Sequence, residues 1–145
     1  MPVDISIETE LAMGHRLHGY PGKCSNLHGH NYLFKFTVSG NPDPQLGLVM
    51  DFGELKETVD RVLEQFDHSM LLVDGDPFEP YLVGEKSRHV ILTTNPSAEN
   101  IGSLLFNLMM NEGIRVKAIL VKETCDTEAY IDRVDRDVRI LRGMS

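Results

Sequence analysis

Two histidines separated by one glycine open an alternating apolar segment, and this arrangement constrains the chain more than any other feature. His28-Gly29-His30 leads into residues 31–39, where apolar side chains at every second position predict a strand. Residues two apart on a strand point to the same side, so both imidazoles can bind one ion. A catalytic zinc centre takes three protein ligands and keeps one position open, so the pair predicts part of such a centre.

The third ligand is expected near the end of the first extended segment. Apolar and polar residues alternate over 3–7, which predicts a strand, and His15 follows it. Antiparallel pairing of the two strands would bring His15 beside the histidine pair. His18 competes on proximity, and spacing does not choose between them. The alternative is a turn with two solvated imidazoles, since most histidines bind no metal. His89, beside an apolar run, is interpreted as structural.

The chain has two cysteines, Cys24 and Cys125, too few for a disulfide framework and consistent with a reducing compartment. Cys24 lies four residues before His28, and Cys125 has no partner at the spacing of a structural Cys/His zinc site. Cys24 is therefore interpreted as a reactive thiol, whose thiolate form a nearby cation and Lys23 favour. The alternative is a small buried loop residue. Cys125 is interpreted as a packing residue.

The order of predicted elements indicates an α+β fold. Helical spacing predicts two helices, over 51–66 and 95–113, and alternation predicts two further strands, over 116–121 and 127–134. The connection 74–94 is expected to be irregular, and its apolar run 90–92 is a candidate for an extra strand. The tail from Arg136 is expected to be frayed or on the surface. This order favours an antiparallel sheet with both helices on one face. Its exposed edges predict an oligomer.

Length and charge exclude several classes of function. The 145 residues fit one domain spanning 1–145, and the net charge of -8 argues against nucleic acid as a partner. No apolar run approaches the ~20 residues of a membrane span, and the N-terminus does not resemble a signal peptide, so a cytoplasmic protein without a membrane partner is expected. An anionic ligand would need local positive charge from Arg16, Lys23, a metal or a helix N-terminus.

With these residues in view, the chain resembles the 6-pyruvoyltetrahydropterin synthase family, and within it the bacterial 6-carboxytetrahydropterin synthases of the queuosine (7-deazapurine) pathway. The likeness spans nearly the whole chain. It is carried by the segments Ala-Met-Gly-His-Arg-Leu at 12–17, Cys-Ser-Asn-Leu-His-Gly-His at 24–30, Met-Asp-Phe-Gly-Glu-Leu-Lys at 50–56, Asp-His at 67–68, Asn-Pro-Ser-Ala-Glu-Asn at 95–100 and Val-Lys-Glu-Thr-Cys at 121–125. The resemblance implies a T-fold: a four-stranded antiparallel sheet with two helices on one face, joined into barrel-forming trimers that stack as a homohexamer.

The resemblance also implies roles for individual residues. It selects His15 over His18, so that Zn²⁺ is held by His15, His28 and His30. It makes Cys24 the general base. The further roles it implies are an Asp67-oriented His68 as acid/base partner, Glu123 as the carboxylate that grips the pterin, and Ser97 and Thr124 as added polar contacts. Outside the resemblance, Asp67-His68 reads as a polar helix end, Ser97 as a helix start and Glu123 as a solvated charge.

By resemblance, the substrate is 7,8-dihydroneopterin triphosphate. The implied product is 6-carboxy-5,6,7,8-tetrahydropterin, with acetaldehyde and triphosphate released. The three-residue gap between Cys24 and His28 is similar to that of the carboxy-forming group. The first alternative is a pyruvoyl-forming enzyme, which eliminates triphosphate and keeps the side-chain carbons. The second is a zinc-binding scaffold without catalysis.

Overall fold

Two long strands form the centre of the sheet. The computed structural model describes residues 1–144. In it β1 (Val3–His15) pairs antiparallel with β2 (His28–Gly40) along its whole length, which places His15 directly opposite His28. One face of this pair carries the fully buried rings of Tyr32, Phe34 and Phe36. The two candidate ligands at the start of β2 lie on that same face, because they continue the same alternation.

Five shorter strands extend this pair on both sides. They are β3 (Met70–Val73), β4 (His89–Leu92), β5 (Ala118–Thr124), β6 (Thr127–Ile131) and β7 (Ile140–Met144). The order across the sheet is β6-β5-β2-β1-β3-β4-β7. The β1–β3 and β3–β4 pairs are parallel and the other neighbouring pairs are antiparallel.

Three helices accompany the sheet: α1 (Phe52–Leu63), α2 (Glu79–Gly84) and α3 (Ala98–Asn111). Asp51 and Ser97 cap α1 and α3, since each side chain accepts a bond from a first-turn amide. Apolar side chains of α1 and α3 form one buried cluster with the aromatic face of β2, so these two helices cover one face of the sheet. The short α2 buries none of its residues. None of these helices is long and apolar enough to cross a membrane.

The predicted four-stranded antiparallel sheet with two helices underestimates the number of strands and helices. The described residues form seven strands in a mixed sheet, with three helices. The connection 74–94 folds into α2 and β4, so its apolar run is a strand. The tail from Arg136 is not frayed, because β7 pairs with β4, but it lies largely on the surface as the alternative expected, with Val138 buried. Single short runs of four or five residues carry too little periodicity to be recognised from sequence.

Candidate metal centre and active site

Three histidines converge where β1 ends and β2 begins. One potential ligand atom from each of His15, His28 and His30 lies within 4.8 Å of the others. The ring centroids are 4.6 Å apart for His15 and His28, 5.3 Å for His15 and His30, and 5.0 Å for His28 and His30. The strand register produces this cluster, because it sets His15 opposite His28 and alternation returns His30 to the same face. These three side chains could therefore hold a metal ion.

Backbone carbonyls fix the ring orientation of two of these histidines. The Nδ1 atom of His15 lies 2.6 Å from the carbonyl oxygen of Pro96, and that of His28 lies 2.7 Å from the carbonyl oxygen of Asn26. A carbonyl only accepts, so Nδ1 donates in each pair, and in the neutral ring this leaves the lone pair on Nε2. Among the residues that the structure describes, the Nε2 atoms of His15 and His30 are buried without a hydrogen-bond partner. Such atoms fit metal ligation, which would satisfy them.

Burial keeps His15 neutral. The residue is 2% exposed, and burial, together with the neighbouring His28 and His30, lowers its pKa from 6.5 to about 4 even though the bond to Pro96 opposes the shift. A neutral imidazole is the form that binds a cation. His18 lies outside the cluster: its amide donates to Asn95 and its Nδ1 atom accepts from Arg16. His89 is 4% exposed and contacts the carbonyl of Ser87, in keeping with a structural role.

A carboxylate stands beside the cluster. The two oxygens of Glu123, on β5, lie 3.8 Å from the Nε2 atoms of His15 and His30. These separations are too long for hydrogen bonds. Tyr32 closes the buried side, with its ring edge-on to His15 and His30 at 5.7 and 5.3 Å. Its hydroxyl is buried and has no hydrogen-bond partner within residues 1–144. Burial, followed by the charges of Glu123 and Cys24, raises the pKa of Tyr32, so the phenol stays protonated.

A cavity of about 220 Å³ opens next to this cluster. Its lining brings together His15, Cys24, Ser97 and Glu123, and it also includes Glu99 in the first turn of α3. Cys24 is exposed, so the buried-loop alternative is wrong for it. A thiol, a carboxylate and a potential metal ligand thus share one cavity, which is the combination that acid/base chemistry on a bound substrate requires. Sequence reasoning missed Glu99, because an acidic residue in a first helical turn is already explained by the helix dipole.

Thr124 and Cys125, near this cavity, do not lie where the sequence analysis expected them. Among the described residues, the lining contains Thr127 but not Thr124, whose hydroxyl lies 2.7 Å from that of Thr127. Cys125 is exposed in the turn between β5 and β6, with Sγ 3.5 Å from a carboxylate oxygen of Asp126. Its interpretation as a packing residue was therefore wrong.

The pair Asp67-His68 does not line the cavity of Cys24. His68 Nδ1 is 2.8 Å from Oδ1 of Asp67, so the expected orienting contact is present. His68 lines a different cavity, of about 570 Å³, together with Ala12, Gly29 and Arg88. His28 and His30 of the histidine cluster line this second cavity as well, whereas His15 lines the cavity of Cys24. Within one chain the structure does not bring His68 into the cavity of Cys24.

The amino-acid sequence is similar to that of a known protein family. A sequence model of the family described as 6-pyruvoyl tetrahydropterin synthase matches residues 4–133. A 6-carboxy-5,6,7,8-tetrahydropterin synthase from Rickettsia bellii is 38% identical over 105 residues, with 68% of this chain and 73% of that protein covered. The protein of the same name from Haemophilus influenzae is 32% identical over 131 residues, with 83% and 92% covered.

Solved structures share the fold. The 6-pyruvoyl tetrahydropterin synthase of Caenorhabditis elegans superposes with a TM-score of 0.70 at 23% identity, covering 92% of this chain and 96% of that chain. The Plasmodium vivax protein of the same name gives a TM-score of 0.71 at 20% identity, covering 97% and 99%. The α+β fold expected from the resemblance is thereby confirmed.

Proposed function

The chain belongs to the 6-pyruvoyl tetrahydropterin synthase family, and we propose that it converts 7,8-dihydroneopterin triphosphate to 6-carboxy-5,6,7,8-tetrahydropterin, releasing acetaldehyde and triphosphate. Such a lyase would supply a reduced pterin to queuosine and 7-deazapurine biosynthesis. The two relatives described above at 38% and 32% identity carry the carboxy-forming name, which favours this product over the pyruvoyl one.

One observation carries the proposal: His15 of the three-histidine cluster lines a cavity that Cys24 and Glu123 also line, and the Glu123 oxygens lie 3.8 Å from the Nε2 atoms of His15 and His30. The proposed ion is Zn²⁺, held by His15, His28 and His30, because three imidazoles with one open position suit catalytic zinc. When bound, such an ion supplies Lewis-acid polarisation of a substrate oxygen.

The remaining roles belong to side chains of the cavity. Cys24 is proposed as the general base that takes a proton from the substrate side chain, since its sulfur is exposed and shares the cavity with a metal ligand. Glu123 is proposed to accept hydrogen bonds from the amino and ring N–H groups of the pterin. Ser97, whose hydroxyl already accepts from the Asn100 amide, and Thr124 are proposed as lesser polar contacts.

His68 enters this scheme through a second copy of the chain. Because His68 and Cys24 line two different cavities, one chain does not bring both groups into the same cavity. We propose that neighbouring subunits of a homo-oligomer, a hexamer by family resemblance, place Asp67-His68 against the thiol cavity of the next subunit. A mixture of Cys24→Ala and His68→Ala subunits should then recover part of the activity that each variant lacks. No recovery after verified subunit mixing would contradict this arrangement.

The decisive experiment is product analysis. Zinc-loaded protein is incubated with dihydroneopterin triphosphate, and the products are identified by mass spectrometry, with the Cys24→Ala variant as matched control. We expect acetaldehyde and 6-carboxytetrahydropterin from the wild type alone. Pyruvoyltetrahydropterin would assign the pyruvoyl-forming reaction instead, and no turnover would leave a metal-binding scaffold.

A further inference from the structure

A buried carboxylate near the candidate site has no part in the proposed reaction. Asp76 lies in the turn between β3 and α2, and its side chain is fully buried. Arg16 meets it with two parallel bonds: Nε donates to Oδ2 at 2.7 Å and Nη2 donates to Oδ1 at 2.6 Å. A buried carboxylate is costly unless it is paired and hydrogen-bonded, so this fork fixes both side chains.

The same guanidinium reaches the loop that carries the thiol. Nη1 of Arg16 donates to the carbonyl oxygen of Ser25, the residue after Cys24, at 3.3 Å. The Leu17 amide donates to the carbonyl oxygen of Cys24 at 2.8 Å. The segment directly after His15 therefore forms two hydrogen bonds to the loop that carries Cys24, one from its backbone and one from the Arg16 side chain.

Phe78 completes the arrangement from the connection between β3 and α2. Its ring centre lies 4.4 Å from the central guanidinium carbon of Arg16, and its amide donates to Oδ1 of Asp76 at 2.8 Å. Burial raises the pKa of Asp76, but the bonds from Arg16 and from this amide outweigh it and leave the pKa below its ordinary value. The guanidinium of Arg16 is thus paired with a protein carboxylate.

We propose that the Arg16–Asp76 pair is a positioning device that holds the Cys24 loop in place relative to the histidine cluster. The inference rests on the proposed function, in which Cys24 acts as base. Asp76 orients the guanidinium, and the guanidinium holds the carbonyl of Ser25. A base must lie within hydrogen-bond reach of its proton, so a small displacement of this loop lowers kcat. The pair gives the connection 74–94 a function at the site.

The test compares Arg16→Lys with Asp76→Asn in a Cys125→Ser background, where Cys24 is the sole thiol. Lysine keeps the charge that Asp76 needs but lacks the planar fork that also reaches Ser25. We expect Arg16→Lys to change the rate of Cys24 alkylation by iodoacetamide by about threefold or more, because the loop is released. We also expect kcat to fall about tenfold while KM stays within about twofold.

Asp4→Asn is the matched control. It breaks the ion pair with Lys117, 2.6 Å long and exposed at the far end of β1, and should leave alkylation and kinetics as in the wild type. An Arg16→Lys protein with unchanged alkylation and kcat overturns the proposal, even if Asp76→Asn is impaired, because the pair would then only stabilise the fold. If Asp76→Asn does not fold, Arg16→Lys still decides. If the wild type has no turnover, the proposed function fails, and the alkylation rates still test the positioning.

Discussion

His15 and His28 face each other at the ends of β1 and β2, with their rings 4.6 Å apart and their Nδ1 atoms each bonded to a backbone carbonyl. A ligand pair fixed in this way loses little freedom when an ion binds, because the rings are oriented before binding. The arrangement makes the metal content of the protein a direct test of the site.

Replacing His28 with Ala should strip the metal. Removing one of three imidazoles leaves an incomplete donor set, so we expect less than about one tenth of the wild-type metal to remain after dialysis. Losing a residue that only hydrogen-bonds to a ligand lowers metal affinity about 10–100-fold, and losing a ligand itself should lower it more. Metal per subunit is measured by mass spectrometry. His18→Ala is the control and should keep full metal, because His18 lies outside the cluster. Full metal in His28→Ala would reject the ligand assignment.

Replacing Cys24 with Ala should abolish turnover and leave metal and fold intact. The thiol is exposed and lies outside the histidine cluster, so its loss creates no cavity in the core. We expect kcat to fall by at least about 10²-fold, the range of a removed general base. Metal content and thermal unfolding serve as the accompanying measurements. Near-normal activity in this variant would remove Cys24 from the mechanism.

The stability of the metal-free protein should fall as the pH is lowered from about 6.5 towards 4. Burial lowers the folded-state pKa of His15 from 6.5 to about 4, so in this window the unfolded chain binds more protons than the folded one. The free energy of unfolding then decreases with falling pH, by at most about 3 kcal/mol from this group. Urea unfolding at several pH values measures it. His15→Gln should have a shallower slope over the same window, and an identical slope would contradict the assignment.

Replacing Gly29 with Ala should damage both stability and metal affinity. A Cβ atom there would lie 2.8 Å from the carbonyl oxygen of Met13 on the neighbouring strand, and that backbone cannot move without disturbing the register. We expect a loss of about 1–3 kcal/mol in unfolding free energy. A chelator competition should also show weaker metal binding, because Gly29 separates two ligands. Gly84→Ala, where the added atom meets nothing within 4 Å, is the control. Equal behaviour of the two variants would refute this account.

Sequence reasoning anticipated the parts of the site that lie close together along the chain. The alternation from His28 through Val38 determined that two ligands share the buried face of a strand, and helical spacing over 51–66 and 95–113 predicted α1 and α3. Periodicity is a local property, so it can be recognised without knowing the fold. The choice of His15 over His18 came from family resemblance, and the cross-strand register accounts for it physically.

Long-range packing decided the rest. The tail beyond Arg136 became a strand because β4 offered an edge to pair with, and Asp76 became the partner of Arg16 although 60 positions separate them. The sequence also set His68 beside Asp67, but only the tertiary structure put it in a different cavity from Cys24. The sequence by itself determined the donor types and their local faces. The tertiary structure determined which of them meet, because register, sheet order and burial depend on contacts between segments far apart in the chain.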